Sequence, residues 1–474
     1  MSMNRHRHPS TRLHSDSKDG PVRNLDRAFF RASVWSLDQT FYRLIAIAVA
    51  LMVISGPSPA RAQPGNAKKG VVKKAEKPKV APKAEEIKVD DPDALPPGYQ
   101  PPPPPLAIMD LEAPLATKEE LNRLNKDYVG KFSKVKLEAK VDAESLKIIE
   151  GFVRYRLAYM TTLPKDSRED KKDTQEKLPA LHRSFLTEIS TAGLAKNPAQ
   201  VTAITNAIGK EVCKQMPELL KNNFYVRLHS VMILGEMDFA PAHELLLQVI
   251  QAKDINEDPD NGQPMAIKVA ATNGLIRLLT FANPTPTVKE RMTIAHAVIG
   301  ELANNKVLAW YQVRLIEVLR TLDIGGVEAG DNNRPFVVEA LLAIIRDKDR
   351  IPYVRAKACY AIGRVPIPAG VNANDVVAAV SDFALQLATA AAAQPNNPMW
   401  KSCFWDIYLA FHAFNTKDQD AEKKRAGGLL AVTSMKSVVQ PAYDVIVPIV
   451  NDILSGKAPS AANLDKLKAF VKPK

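Results

Sequence analysis

Five basic residues, Arg227, Lys268, Arg314, Arg355 and Lys401, recur 41, 46, 41 and 46 positions apart in this 474-residue chain. Cations in register can do two kinds of work. Each can bond a carboxylate or carbonyl of the neighbouring segment, or together they can form a ladder for an acidic partner. Trp310 and Trp400 stand at the starts of two of the segments that carry these cations, where an amphipathic ring suits a binding hot spot. The candidate partner-binding residues are therefore Arg227, Lys268, Trp310, Arg314, Arg355, Trp400 and Lys401. The nearby Phe404 and Trp405 read as core fillers between helices.

Groupings that would carry a reaction do not emerge. His182, His229, His243, His296 and His412 are isolated in sequence, and His243-Glu244 lacks the second histidine of a zinc-protease helix. A nucleophile elbow, a phosphate-cradling glycine loop and EF-hand spacing are not found. Asp254-Ile-Asn-Glu-Asp258-Pro-Asp260-Asn-Gly262 gathers oxygen ligands in a loop, but without alternate-position spacing it reads as a turn and not a calcium site. Cys213, Cys359 and Cys403 form no C-x-x-C pair and read as core thiols. No catalytic, cofactor-binding or metal-ligating residue is therefore assigned, and no cofactor is expected.

The cations belong to a repeated phrase. Tyr225-Val226-Arg227-Leu228 continues to Leu234 and Gly235, and Ala266-Ile267-Lys268-Val269 continues to Gly274 and Leu275. Gln312-Val313-Arg314-Leu315 and Tyr353-Val354-Arg355-Ala356 follow, then a degenerate Met399-Trp400-Lys401-Ser402. Within each copy the apolar residues fall at helical spacing. A second amphipathic helix lies between copies, over residues 241–252, 286–303, 334–346 and 374–393. Helix pairs recurring every 40–47 residues are the signature of an α-solenoid. The fold class is all-α: stacked antiparallel helix pairs. Further helices at 143–160 and 180–194, and at 437–455 and 462–471, extend or cap the array, whose end faces must be covered.

The phrase resembles the HEAT repeat family, whose second helix opens with Val-Arg and continues through Ala and Leu-Gly. The resemblance covers about residues 199–415 and is best in the fourth copy, where Asp349 precedes Arg355 by six positions. It implies an Asp–Arg pairing there, and it places the Val-Arg helices on the concave side of the array. At the matching position the other copies have Lys221, Gly262, Leu308 and Pro395.

Ahead of the repeats, residues 44–55 form an uninterrupted apolar run, followed by Ala60-Arg61-Ala62. A run this short reads as the core of a signal peptide (1–62) cut after Ala62, making the chain exported, periplasmic or extracellular. Residues 63–106, rich in Lys, Ala and Pro and ending in Pro101–Pro105, read as a disordered tether. Its reach is about 40 Å coiled and at most about 140 Å as polyproline II. Its lysines could touch an anionic cell-wall or membrane surface. Residues 107–198 then read as an N-terminal helical cap, 199–415 as the repeats and 416–474 as a C-terminal cap.

The formal charge of +12 is concentrated before the repeats: residues 107–474 carry 47 Lys/Arg against 42 Asp/Glu. That mixed surface gives no reason to expect nucleic acid. The sequence thus predicts a non-enzymatic scaffold that holds a protein partner on the concave face. Two rivals keep different tests. A helical-toroid enzyme or carbohydrate-binding protein acting on an envelope polymer would need a deep acidic cleft, and a structural envelope protein would self-associate. For the export assignment, N-terminal sequencing of the exported protein should begin at Gln63; an intact N-terminus in the membrane fraction contradicts it.

Overall fold

The apolar stripes dictate paired helices, and the computed structural model of the chain shows how they pair. It describes residues 113–136, 141–162, 168–190, 198–259, 261–326, 334–412 and 427–471. The proposed signal segment, the tether and residues 191–194 of one expected helix lie outside the described residues. Among the described residues the secondary structure is helical, with an isolated bridge between Asp254 and Gln263.

At the N-terminal end, α1 (Lys118–Leu124), a π-turn (Asn125–Val129) and α2 (Gly130–Val135) pack along α3 (Ala143–Met160). Phe132 stacks on Phe152 with ring centroids 3.9 Å apart. This short segment covers the end of the array, as a stack of helix pairs requires. The pairs that follow are α3 with α4 (Arg168–Ser190), α5 (Pro198–Leu219) with α6 (Phe224–Glu236), and α7 (His243–Gln251) with α8 (Met265–Phe281). Next come α9 (Val288–Leu302) with α10 (Ala309–Thr321), α11 (Phe336–Arg346) with α12 (Pro352–Ile362), and α13 (Ala373–Ala393) with α14 (Met399–Phe411).

First members pack on first members and second members on second members, which makes a two-layered solenoid. The last pair reverses the order. α15 (Lys436–Leu454) joins the second layer beside α14, and α16 (Ala461–Val471) returns to the first layer beside α13. A continuous cluster of buried side chains runs from Phe132 to Leu467.

The helix bounds show which local signals worked. Asn223 accepts the Val226 amide at the start of α6, Thr287 and Glu290 form a reciprocal capping box on α9, and Pro352 opens α12. Proline suits helix ends, yet Pro179, Pro217, Pro441 and Pro448 lie inside α4, α5 and α15. Packing overrides the loss of one intrahelical bond at these points.

Glycines set the closest helix approaches in the second layer. A Cβ at Gly235 would lie 2.5 Å from the Gly274 Cα, so α6 and α8 cross backbone to backbone. At Gly363 it would meet the Ala410 backbone, where α12 crosses α14. Neither neighbour can yield as a flexible side chain would. Gly235→Ala should lower stability by about 1–3 kcal/mol through overpacking. Gly300→Ala, at an open position within α9, should raise it by up to about 1 kcal/mol. Thermal melts of the two variants compare these directly.

Two buried histidines join α4 to α6. The His182 and His229 Nδ1 atoms lie 3.4 Å apart, and the residues are 3 % and 8 % exposed. Burial, with the neighbouring His229 and Arg183, holds His182 down to about 3, and burial holds His229 down to about 4. In the unfolded chain both titrate near 6.5. Above that pH neither state carries the extra protons and this part of the stability is intact. As pH falls below 6.5 the unfolded chain takes up protons first, so stability is lost at about 1.4 kcal/mol per histidine per pH unit. The melting temperature should fall from pH 7 to pH 4.5, and His229→Gln should reduce that slope. A melting temperature flat over this range contradicts the assignment.

Candidate functional site

The last carbonyls of any helix lack intrahelical partners, and a stacked array buries many of them. Here the fourth residue of several second-layer helices reaches back to the connecting turn or to the end of the first-layer helix before it. Arg227, fourth in α6, donates to the Asn222 carbonyl at 2.5 Å, to Lys221 at 3.2 Å and to Gly262 at 3.1 Å. Gln312, fourth in α10, donates to Asn305 at 3.1 Å and Val307 at 2.7 Å. Arg355, fourth in α12, donates to Ile345 at 2.8 Å and to the Gln386 side chain at 3.1 Å. Its guanidinium sits 4.4 Å from the Phe383 ring centroid. Burial lowers the pKa of both arginines without changing their charge near neutrality.

Lys268, fourth in α8, turns instead toward the next pair, with a 2.6 Å ion pair to Glu301 and its ammonium 5.9 Å from the Tyr311 ring. In α14 the fourth residue is Ser402, and Trp400 does the equivalent work by donating Nε1 to Gln394 at 2.7 Å. Arg227, Lys268, Gln312, Arg355 and Trp400 are all buried, at no more than 6 % exposure.

This register corrects the ladder read from sequence. The third member of the series is Gln312, two residues before Arg314, and Lys401 occupies the third position of α14, not the fourth. Arg227, Lys268, Arg355 and Trp400 are buried, and their polar atoms are bonded within the fold. Trp310 (44 % exposed), the half-buried Arg314 and the exposed Lys401 remain accessible. Trp405, expected in the core, is 40 % exposed, whereas Phe404 is fully buried. The two neighbouring tryptophans on α14 therefore exchange the roles expected of them. The bonds on Arg355 go to Ile345 and Gln386, not to Asp349.

Arg350 is a tie that no sequence pattern announces. It lies in the turn before α12, 7 % exposed, and bonds Asp347, the Gln312 amide and the Leu302 carbonyl across two pairs.

The outward stripe of the second layer has a different chemistry. Tyr353, Lys357, Tyr360 and Arg364 follow one another at helical spacing on the side of α12 opposite Arg355. Lys401, Trp405, Tyr408 and His412 do the same along α14. Trp405 stacks on Tyr408 at 5.4 Å, and His412 Nε2 lies 2.6 Å from the Tyr443 hydroxyl. Lys357 pairs with the buried Asp406 at 2.9 Å, and Arg314 with Glu317 at 2.6 Å. Burial alone would lower the Lys357 pKa, but the Asp406 carboxylate more than reverses it and holds the ammonium charged.

Other candidate chemistry resolves into packing. Asp254 Oδ1 accepts from the backbone and side-chain nitrogens of Asn256, and Asp258 Oδ1 from the Asn261 amide, so both carboxylates serve the turn. Burial raises Cys213 and Cys403 to about 12, and raises Cys359 as well, which keeps the three free thiols protonated. Helix α13 is long and apolar enough to cross a membrane by composition, yet it packs among α11, α14, α15 and α16.

Comparison with family models, with curated proteins and with solved structures finds no match to this chain.

Removing the Arg355 guanidinium should strand the Ile345 carbonyl and free the Gln386 side chain. Arg355→Ala is expected to cost about 2–4 kcal/mol of stability, whereas Lys401→Ala should stay within about 0.5 kcal/mol of the parent. Equal losses in denaturant titrations of the two would contradict the division into buried ties and exposed stripe.

Proposed function

We propose that this protein is an exported, HEAT-like scaffold or adaptor that grips a protein partner along its second-layer face. One observation carries the reading: both exposed tryptophans among the described residues, Trp310 and Trp405, lie on second-layer helices. Tryptophan is enriched at interaction surfaces and concentrates binding energy there. The two rings stand on α10 and α14 with α12 between them. A partner seated on both would span three adjacent helices, on the order of 20 Å at the usual 8–10 Å interhelical distance. Because each pair contacts only its neighbours, the array presents a long, preorganised surface, which lowers the entropic penalty of association. Export by the N-terminal segment and spacing by the Lys/Pro-rich tether belong to the same proposal.

Chemical crosslinking in intact cells, followed by purification of the full chain and mass spectrometry, tests it. Peptides of α10, α12 and α14 should crosslink to one protein, and a Trp310→Ala/Trp405→Ala variant should lose that protein at unchanged melting temperature. Crosslinks confined to other copies of this chain, or measurable turnover of an envelope polymer by the purified protein, would overturn the reading.

A further inference from the structure

One ring in the outward stripe is surrounded by cations. The Tyr360 ring has the Arg320 guanidinium 5.3 Å from its centroid, the Arg364 guanidinium at 5.2 Å and the Lys357 ammonium at 5.9 Å. These come from two successive helix pairs: Arg320 from α10, Lys357 from α12, and Arg364 from the turn that ends α12. Lys357 is neutralised by Asp406. The two arginines are not. Among the described residues neither forms an ion pair, and the Nε of each is buried without a hydrogen-bond partner. Arg364 is only 7 % exposed, and its single hydrogen bond, 3.3 Å to the His412 carbonyl, leaves most of its donors unused.

Holding two guanidiniums against one ring without a carboxylate is unfavourable unless something else satisfies them. Arg227, Arg350 and Arg355, by contrast, each donate at least two hydrogen bonds to carbonyl, amide or carboxylate acceptors. Arg277 also leaves its Nε buried without a partner, with its guanidinium 5.7 Å from the Phe281 centroid, but there a single arginine meets the ring, whereas two converge at Tyr360.

We propose that Arg320 and Arg364, on the Tyr360 platform, receive carboxylate side chains from an acidic segment of the partner polypeptide. The inference rests on the scaffold reading and specifies the chemistry of the partner. Planar guanidiniums match carboxylates in a two-bond fork. The site is confined: Glu317 lies on α10 with Arg320, and Asp406 on the adjoining α14, paired with Arg314 and Lys357 respectively. A continuous polyphosphate backbone would meet those carboxylates at every step, whereas discrete Asp or Glu side chains can avoid them. The stacked Trp405 and Tyr408 rings on the adjoining α14 offer an apolar anchor beside the charges, which suits a peptide of mixed acidic and aromatic character.

The test is fluorescence anisotropy on the full chain with a dye-labelled peptide of ten glutamates around a central tryptophan. Inorganic phosphate and duplex DNA serve as competitors. The parent should bind the peptide with an affinity that falls with added salt, and Arg320→Gln should weaken binding at least tenfold. Because Arg320 makes no hydrogen bond that folding depends on, the melting temperature of this variant should not change. Arg364→Gln provides a second reading, and Arg314→Gln, whose guanidinium is paired with Glu317, should be nearly silent. Equal affinity for parent and Arg320→Gln would overturn the proposal, as would displacement by phosphate or DNA at lower concentration than by unlabelled peptide. The scaffold reading is scored separately, by loss of in-cell crosslinks in Trp310→Ala/Trp405→Ala. Crosslinks lost there but insensitive to Arg320→Gln would sink the carboxylate site and leave the scaffold standing.

Discussion

The structure depends on how the turns between paired helices are tied down. Each first-layer helix leads through a turn into its second-layer partner, and a buried carbonyl left without a bond there costs roughly 1–3 kcal/mol. The fold places one long polar side chain, early in the following helix, against this junction: Arg227 and Gln312 bond turn carbonyls, Arg355 the Ile345 carbonyl in α11, and Trp400 the Gln394 carbonyl at the end of α13. Arg350 adds a tie across pairs, and Lys268 points forward to Glu301. Stacking therefore needs no continuous salt-bridge ladder. In α6, α10, α12 and α14 it uses one donor of sufficient length near the helix start, and the chemical identity of that donor varies.

Because the interior takes up one polar residue per pair, the opposite side of the same helices is released for other uses. Arg355 and Lys357 are two residues apart on α12, which puts them on opposite sides of the helix. The first ties α12 to α11 and α13; the second joins Tyr353, Tyr360 and Arg364 on the outward stripe. Scaffold and surface are thus carried by alternate sides of one helix, and glycine contacts at Gly235–Gly274 and Gly363–Ala410 bring those helices together. Neighbouring stripes then lie close enough for Arg320 and Arg364, from successive pairs, to meet at one ring.

The architecture was largely legible in the sequence because it rests on periodicity. Apolar spacing placed α3, α9, α13, α15 and α16 within two residues of their observed ends, and turn residues such as Asn223, Thr287 and Pro352 marked helix starts. The site was legible only in part. Matching the phrase by its Val-Arg letters selected Arg314, yet the structural register is kept by Gln312, since a glutamine amide can serve carbonyls as a guanidinium does. Trp400 and Trp405 exchanged roles because five residues along a helix is about 140° around it, and sequence alone does not say which side faces the first layer. The arginines at Tyr360 come from separate pairs, and only packing reveals that they converge.

The central claim, that the outward stripe of the second layer is the binding face, is tested most directly by a photo-crosslinking amino acid placed in turn at three exposed positions. These are Trp310 and Trp405 on second-layer helices, and Val288, 69 % exposed, on the first-layer helix α9. Irradiation of living cells should join positions 310 and 405 to the same partner protein and leave position 288 unlinked. Linkage through 288 alone, or equally from all three, would contradict the account.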